Sequence, residues 1–161
     1  MEVKRLITMK KLLYFFVVAF VISSCSKKIV DPDPSEQVLG TYKGISVTQS
    51  SGGTGIVYDL TSADFKDDQY FFDVSKKGAS TITINTSNIY KDNAGKTLTE
   101  KNAIETVDLK NPANGEFEMY NGATKIGKVG NGSLTLENII NTTDPNGKAV
   151  TYKLVFISKK Q

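Results

Sequence analysis

The chain has 161 residues, of which 39% are hydrophobic and 23% charged, and it contains no His, no Trp and a single Cys. This length fits one small domain with short appendages. Without His, and with Cys25 as the only thiol, the composition excludes a Ser-His-Asp triad, a Cys-His nucleophile and a zinc or haem site built from His and Cys. The sequence has neither a P-loop nor a dinucleotide fingerprint. We therefore expect a protein that is not an enzyme and that has no catalytic residues, no cofactor and no metal.

The positive net charge of +3 comes from the first 24 residues, because Lys balances Asp and Glu over the rest of the chain. Arg5 is the only Arg, so the remainder has no guanidinium group for bidentate recognition of phosphate. A neutral body without Arg does not match the electrostatic footprint of a nucleic-acid-binding protein. We expect no nucleic-acid partner.

The N-terminus has the organisation of a signal peptide. A basic segment ends at Lys10-Lys11, and a mostly apolar run of eleven residues follows from Leu12 to Ile22. Eleven helical residues extend about 16 Å, which is roughly half of a hydrocarbon core of ~30 Å. The pattern therefore predicts a cleaved signal peptide over residues 1–24, with an uncleaved membrane anchor as the alternative.

The residues Ile22-Ser23-Ser24-Cys25 resemble the bacterial lipobox, in which an aliphatic residue and two small residues precede a cysteine. The resemblance implies cleavage between Ser24 and Cys25. It also implies attachment of a diacylglycerol to the Cys25 sulfur and acylation, for example by palmitate, of the new amino group. The membrane, reached through this lipid anchor, is then the first partner. The alternative is a free cysteine in the core.

Residues 26–37 contain two Asp-Pro pairs, at Asp31-Pro32 and Asp33-Pro34. Because the residue before a proline is disfavoured in the helical region, we expect a flexible, extended spacer with a reach of up to ~40 Å. The predicted organisation is a signal peptide over 1–24, a lipidated Cys25 with its spacer over 25–37, and one β-domain over 38–161.

The body shows the period-2 alternation of half-buried strands, clearest at residues 81–84, 116–119 and 133–137. Four Asn-Gly pairs in the last 50 residues suit tight hairpin turns. A polar loop is expected over 91–103, a short helix near Thr61–Phe65, and a last strand covered on both faces. The predicted strands are 39–48, 55–60, 70–74, 80–86, 104–109, 115–120, 123–130, 133–142 and 148–159.

Consecutive antiparallel strands joined by short turns predict an all-β, up-and-down meander. Periodicity leaves two arrangements open, a closed barrel and a two-sheet sandwich.

The residues Gly40-Thr41-Tyr42-Lys43-Gly44 resemble the opening strand of calycin-like or lipocalin-like lipoproteins of Bacteroidota. The resemblance implies an eight-stranded calycin-like barrel. In lipocalins the corresponding strand carries Gly-x-Trp, whose ring plugs one end of the barrel. Gly40 and Tyr42 are therefore the candidate barrel-plug residues, with ordinary strand entry as the alternative for the glycine.

Two functions follow as hypotheses. An eight-stranded barrel holds either packed side chains or one small ligand. The first hypothesis is a binding module for a small molecule, either apolar or amphipathic, or for a glycan. The second is a non-enzymatic interaction protein with a solid core. The aromatic residues that would form either a core or a cavity are Tyr42, Tyr58, Phe65, Tyr70, Phe71, Phe72, Tyr90, Phe117, Tyr120, Tyr152 and Phe156.

The residues that follow Cys25 indicate which face of the membrane carries the protein. Lys27-Lys28 come before the first acidic residues after Cys25, which are Asp31 and Asp33. Lipoproteins of Bacteroidota that reach the cell surface tend to have acidic residues close to the lipidated cysteine. The departure from that pattern favours the periplasmic face of the outer membrane for the lipid-anchored protein, with the cell surface as the alternative. We expect the domain to be a monomer.

Overall fold

The computed structural model describes residues 31–143 and 146–161, which contain nine β-strands, one short α-helix and one 3-10 turn. The helix α1 spans Pro34–Val38, and the 3-10 turn spans Ala63–Phe65. The all-β prediction is confirmed. The strands are β1 (Gly40–Ser51), β2 (Thr54–Asp59), β3 (Gln69–Gly78), β4 (Thr81–Lys91), β5 (Thr97–Ala113), β6 (Glu116–Asn121), β7 (Thr124–Gly130), β8 (Ser133–Thr143) and β9 (Ala149–Lys160).

Eight of the strands form a closed antiparallel barrel. Strands β3 to β9 follow one another in chain order, β1 pairs with β3, and β9 pairs back with β1. Strand β2 is the extra strand, because β1 pairs with β3 over residues 40–43 and with β2 over residues 46–51. The eight-stranded barrel is confirmed, and the two-sheet sandwich is wrong.

Two of the four Asn-Gly pairs form the hairpin turns expected of them. Asn114 and Gly115 connect β5 to β6 with φ values of 52° and 79°, and Asn131 and Gly132 connect β7 to β8 with φ values of 49° and 71°. Positive φ at both central residues is the condition for a type I′ turn, whose twist matches that of the paired strands. These turns lie at the same end of the barrel as the start of β1.

The hydrophobic core fills that end of the barrel. Inward-facing side chains alternate with outward ones along each strand, as the strand period requires. Tyr42, Ile82, Ile84, Met119 and Leu134 are the largest side chains that are almost completely buried. Phe72, Val74, Val107, Leu109, Phe117, Val129 and Leu136 complete the strand contribution to this cluster.

Helix α1 lies across the packed end of the barrel and packs against β3, β4 and β7. Val38 is 0% exposed, and its carbonyl accepts a hydrogen bond of 2.7 Å from the Tyr42 hydroxyl. The Ser35 N–H donates to the Ala79 carbonyl at 3.1 Å. The predicted spacer is therefore wrong over residues 34–37, because Pro34 at the first helical position favours a helix start and Val38 secures that helix in the core.

Three further expectations need correction. The polar loop predicted for 91–103 is wrong, since β4 continues to Lys91 and β5 begins at Thr97. The outer face of β9 is not covered, because Ile157 is 38% exposed on the outside of the barrel. The short helix near Thr61–Phe65 is a single 3-10 turn, and its N-cap Ser62 makes no side-chain cap bond.

Residues 1–30 lie outside the described residues, and so do the predicted signal peptide and its cleavage site. Within the described part of the chain, no helix has the length and apolar character needed to cross a membrane. Residues 32–161 form a compact unit by themselves, with all nine strands and the whole core inside it.

Candidate functional site

The end of the barrel away from α1 contains a cavity of about 510 Å³. It forms because seven strands, β3 to β9, continue past the packed core and keep a ring of side chains around an unfilled centre. Ligand pockets in proteins commonly have volumes of about 300–1,000 Å³. The barrel is therefore solid at one end and hollow at the other.

The floor of the cavity is apolar. Phe72 and Leu136 belong to the buried core, while Ile104, Ile126 and Phe156 are partly buried and pack against it. The Phe156 ring lies 5.7 Å from the Phe72 ring, nearly edge to face, which is a favourable arrangement for aromatic pairs. This floor offers an apolar surface to any molecule that enters.

Gly44 of β1 makes room for the aromatic part of the floor. A Cβ atom at Gly44 would lie 3.1 Å from Tyr70 Cβ and 3.3 Å from Leu60 Cδ1. Because no side chain is present there, Tyr70 reaches over β1 to Phe156, with ring centroids 5.3 Å apart. The second glycine of the Gly-Thr-Tyr-x-Gly motif thus shapes the cavity wall.

The upper wall of the cavity is polar. On β4, Thr86 and Asn88 continue the inward-facing set of Ile82 and Ile84, and their partners across the β4–β5 pair are Asn102 and Glu100. Asn121 of β6 and Asn138 of β8 line the remaining circumference. The amides of Asn88, Asn102, Asn121 and Asn138 and the Thr86 hydroxyl therefore lie around the mouth, together with the inward-facing Glu100 carboxylate.

Glu100 is held in place by a neighbouring tyrosine. The Tyr90 hydroxyl donates a hydrogen bond of 2.8 Å to Glu100 Oε1, and this bond is the main reason why the pKa of Tyr90 is raised. Burial, followed by the nearby carboxylates Asp68 and Glu100, raises the pKa of Tyr70 on the adjacent strand. The Glu100 carboxylate therefore places a negative charge on the side of the mouth formed by β4 and β5.

Asn88 carries an unsatisfied acceptor on the same wall. Its Oδ1 atom is shielded from solvent and accepts no hydrogen bond from the described residues. Its cross-strand partners are Tyr70 and Glu100. A buried amide oxygen without a donor is unfavourable. The Asn88 side chain would gain a hydrogen bond by turning this oxygen toward a donor group in the cavity.

The predicted plug residues lie at the solid end, away from the cavity. Tyr42 is almost completely buried beneath α1, and its burial raises the pKa of its hydroxyl. Gly40 begins β1 with φ of 130°, beside the Lys160 side chain. The plug role of both residues stays a prediction. Ser24 and Cys25 lie outside the described residues.

Sequence reasoning identified the aromatic residues of the floor and missed the polar wall. Of the predicted aromatic set, Tyr70, Phe71, Phe72 and Phe156 line the cavity, whereas Tyr42 and Phe117 are core residues. The sequence signal for the polar wall was that Asn88 is an even number of residues from Ile82 and Ile84 on the same strand, so that all three side chains share one face. That signal depends on β4 being longer than predicted.

The acidic turns form no comparable site. Asp67 forms an ion pair with Lys91 at 2.8 Å, and Asp92 Oδ1 accepts hydrogen bonds from the backbone N–H groups of Ala94 and Lys96. Among the residues that the structure describes, no group of three or more Asp, Glu, His or Cys side chains is arranged to hold a metal ion.

Comparison of the chain with models of known protein families found no match, and comparison with curated protein sequences found none either. The function is therefore inferred from the cavity and from the N-terminal sequence.

Proposed function

We propose that this chain is a lipid-anchored protein of the cell envelope whose barrel captures a small amphipathic molecule at its hollow end. One observation carries the proposal: a cavity of about 510 Å³ has an apolar floor and a polar rim. A barrel of eight strands has room for packed side chains or for one small ligand. This barrel fills only one of its ends with side chains.

The two-layered lining favours an amphipathic molecule. An apolar group placed over Ile104, Ile126 and Phe156 would leave water, which contributes roughly 25 cal/mol for each Å² removed from solvent. The polar end would then reach the amides of the rim. A purely apolar ligand would instead form no hydrogen bond with these polar groups.

The proposed location rests on the sequence. Lipidation of Cys25 would attach the protein to a membrane, and two or more acyl chains make such an anchor stable. Because α1 begins at Pro34, the chain from Cys25 to the barrel would span at most about 30 Å. We place the protein on the periplasmic face of the outer membrane, in line with the early Lys27-Lys28 pair, and we propose that it acts without catalysis.

A second candidate is an interaction protein, which the edge of β2 favours. Within the described residues β2 pairs only with β1, and its Ile56 and Val57 side chains are 58% and 67% exposed. An exposed apolar edge strand is a template for pairing with another chain. This candidate does not explain the hollow end of the barrel.

Native mass spectrometry of the full chain, extracted from the membranes of its own cells, tests the proposal. We expect an additional mass of a small molecule bound to the wild type. The variant Ile104→Trp fills the cavity and should lose this mass. The matched variant Ala103→Trp places the same ring on the outside of the same strand and should keep it. Ligand capture is contradicted if the wild type carries no adduct or if Ile104→Trp retains it. If the spectra instead show a bound protein subunit that Val57→Lys removes, the second candidate is favoured.

A further inference from the structure

The charges around the cavity restrict what it can hold. None of the described residues that line it is Lys or Arg, and the inward-facing Glu100 carries a negative charge. The other carboxylate near the rim, Glu137, is on the outer face of β8, where it pairs with Lys153 at 2.6 Å. An anionic ligand would therefore meet a carboxylate and no balancing cation.

The neutral groups of the rim favour a hydroxyl-bearing ligand. Each Asn side chain offers two N–H donors and one carbonyl acceptor, and a hydroxyl group donates and accepts as well. Asn88, Asn102, Asn121 and Asn138 lie around the mouth, and the Asn88 oxygen has no donor. A quaternary ammonium group neither donates nor accepts a hydrogen bond, so it would be attracted by Glu100 but would gain nothing from the amides.

Glu100 adds to the same preference. A carboxylate that receives a hydrogen bond from a neutral hydroxyl makes a charge-assisted bond, which is stronger than a bond between neutral groups. The Tyr90 hydroxyl already fixes one of its oxygens at 2.8 Å. The second oxygen remains for a ligand.

We propose that the cavity selects a neutral, hydroxyl-rich molecule with an apolar face, such as a short glycan or a glycoside, and discriminates against anions. This inference rests on the proposed function and names its ligand class. The apolar face would lie on Phe156 and Tyr70, and the hydroxyl groups would contact the amides and Glu100.

Three probes that share a phenyl ring and differ in their polar end test this selectivity. They are phenyl β-D-glucoside, which is neutral, phenylacetate, which is anionic, and benzyltrimethylammonium, which is cationic. Saturation-transfer NMR measures their affinities for the full chain in lipid nanodiscs, with empty nanodiscs as the blank. We expect the glucoside to bind at least about tenfold more tightly than phenylacetate, which corresponds to about 1.4 kcal/mol. Benzyltrimethylammonium, which cannot form a hydrogen bond with the rim, should bind no more tightly than the glucoside.

Two substitutions examine the groups that carry the selectivity. Glu100→Gln keeps the shape and removes the charge, so phenylacetate affinity should rise about three- to tenfold. Glu116→Gln removes a carboxylate that pairs with Lys128 on the outside of the barrel and should change nothing.

The amides have a matched pair of their own. Asn102→Ala should weaken glucoside binding about three- to tenfold, the effect of one hydrogen bond. Asn85→Ala, an exposed and outward-facing position on the neighbouring strand, should have no effect.

The possible failures are distinguishable. Phenylacetate binding as tightly as the glucoside, or benzyltrimethylammonium binding more tightly than it, would overturn the neutral-ligand inference and leave ligand capture intact. The same holds if Glu100→Gln leaves phenylacetate binding unchanged, or if no probe binds while native mass spectra show an adduct. If no probe binds and no adduct is present, the proposed function fails together with its ligand class.

Discussion

Removing one hydroxyl group, by Tyr42→Phe, should loosen the closure of the solid end of the barrel. The Tyr42 hydroxyl donates to the Val38 carbonyl at 2.7 Å, and both residues are buried. Phenylalanine keeps the ring and creates little new cavity, so the loss is mainly that of the hydrogen bond. A buried carbonyl left without its donor costs about 1–3 kcal/mol, and we expect a loss of this size in the free energy of unfolding.

Urea unfolding of residues 32–161, followed by circular dichroism, measures this loss. The control is Tyr120→Phe, which removes a hydroxyl bonded to Glu118 at 3.1 Å on the outside of the barrel and should cost less than about 0.5 kcal/mol. Hydrogen exchange adds a local readout, because the Ser35 amide bonds to Ala79 only while α1 is docked. Its exchange should become faster in Tyr42→Phe.

The dependence of stability on alkaline pH is a second property that Tyr42 should determine. Burial raises the pKa of Tyr42 above its ordinary value of 10.0. The stability from this group is complete below pH 10 and is lost as the pH rises through the folded-state pKa, since the unfolded chain releases the proton first. Tyr42→Phe should therefore lose stability less steeply above pH 10 than the wild type. An unfolding free energy within about 0.3 kcal/mol of the wild type, with an unchanged alkaline slope, would refute the role assigned to the hydroxyl.

Four further predictions concern separate parts of the chain. Phe156→Ala should cost about 3 kcal/mol in urea unfolding, the lower end of the range for Phe→Ala because the ring is only partly buried; a cost below about 1 kcal/mol would show that the ring does not support the floor. Glu118→Gln should make the loss of thermal stability on acidification less steep. Hydrogen bonds, from Lys125 first and then from Asn111 and Tyr120, lower the pKa of Glu118 from 4.5 to about 2, so the contribution of Glu118 to stability is present above pH 4.5 and is lost towards pH 2. An unchanged dependence of thermal stability on acidic pH would contradict this. The free energy of unfolding of the fragment 40–161 should be about 2–5 kcal/mol lower than that of 32–161. The shorter fragment lacks the buried Val38 and leaves the Tyr42 hydroxyl without its acceptor. Equal stability of the two fragments in urea would mean that α1 does not belong to the folded unit. Cys25→Ala should abolish both the cleavage after Ser24 and the attachment of lipid. The intact mass of the protein recovered from the membrane fraction measures both, and processing of the variant at the same site would refute the lipobox interpretation.

Most strands can be predicted from the sequence because their two faces meet different environments. Thr81-Ile82-Thr83-Ile84 alternates between solvent and core, and the same reasoning locates the strands at 116–121 and 133–143. Helix α1 cannot be predicted in this way. Its Asp-Pro pairs indicate extended chain. Pro34 is suited to the start of a helix, but the burial of Val38 against the barrel, which decides for the helix, is not visible in the local sequence.

The polar wall escapes prediction for a related reason. Where β4 and β5 pass the core, their inner face lines an open cavity, so both faces are polar and the alternation disappears from the sequence. Residues 91–103 therefore look like a loop, although β5 begins at Thr97. The pairing of Asn88 with Glu100 and of Thr86 with Asn102 follows from the register, which depends on tertiary contacts as well as on the local sequence.

The central claim is that a ligand enters the hollow end of the barrel and stops above the solid end. Methyl NMR of the isoleucines tests it most directly, because Ile104 and Ile126 line the cavity, Ile82 and Ile84 are completely buried below it, and Ile56 is on the surface. With phenyl β-D-glucoside added to the full chain in nanodiscs, we expect intermolecular NOEs to Ile104 and Ile126 and none to the other three. NOEs to Ile56, or none to Ile104 and Ile126 at saturation, would contradict the account.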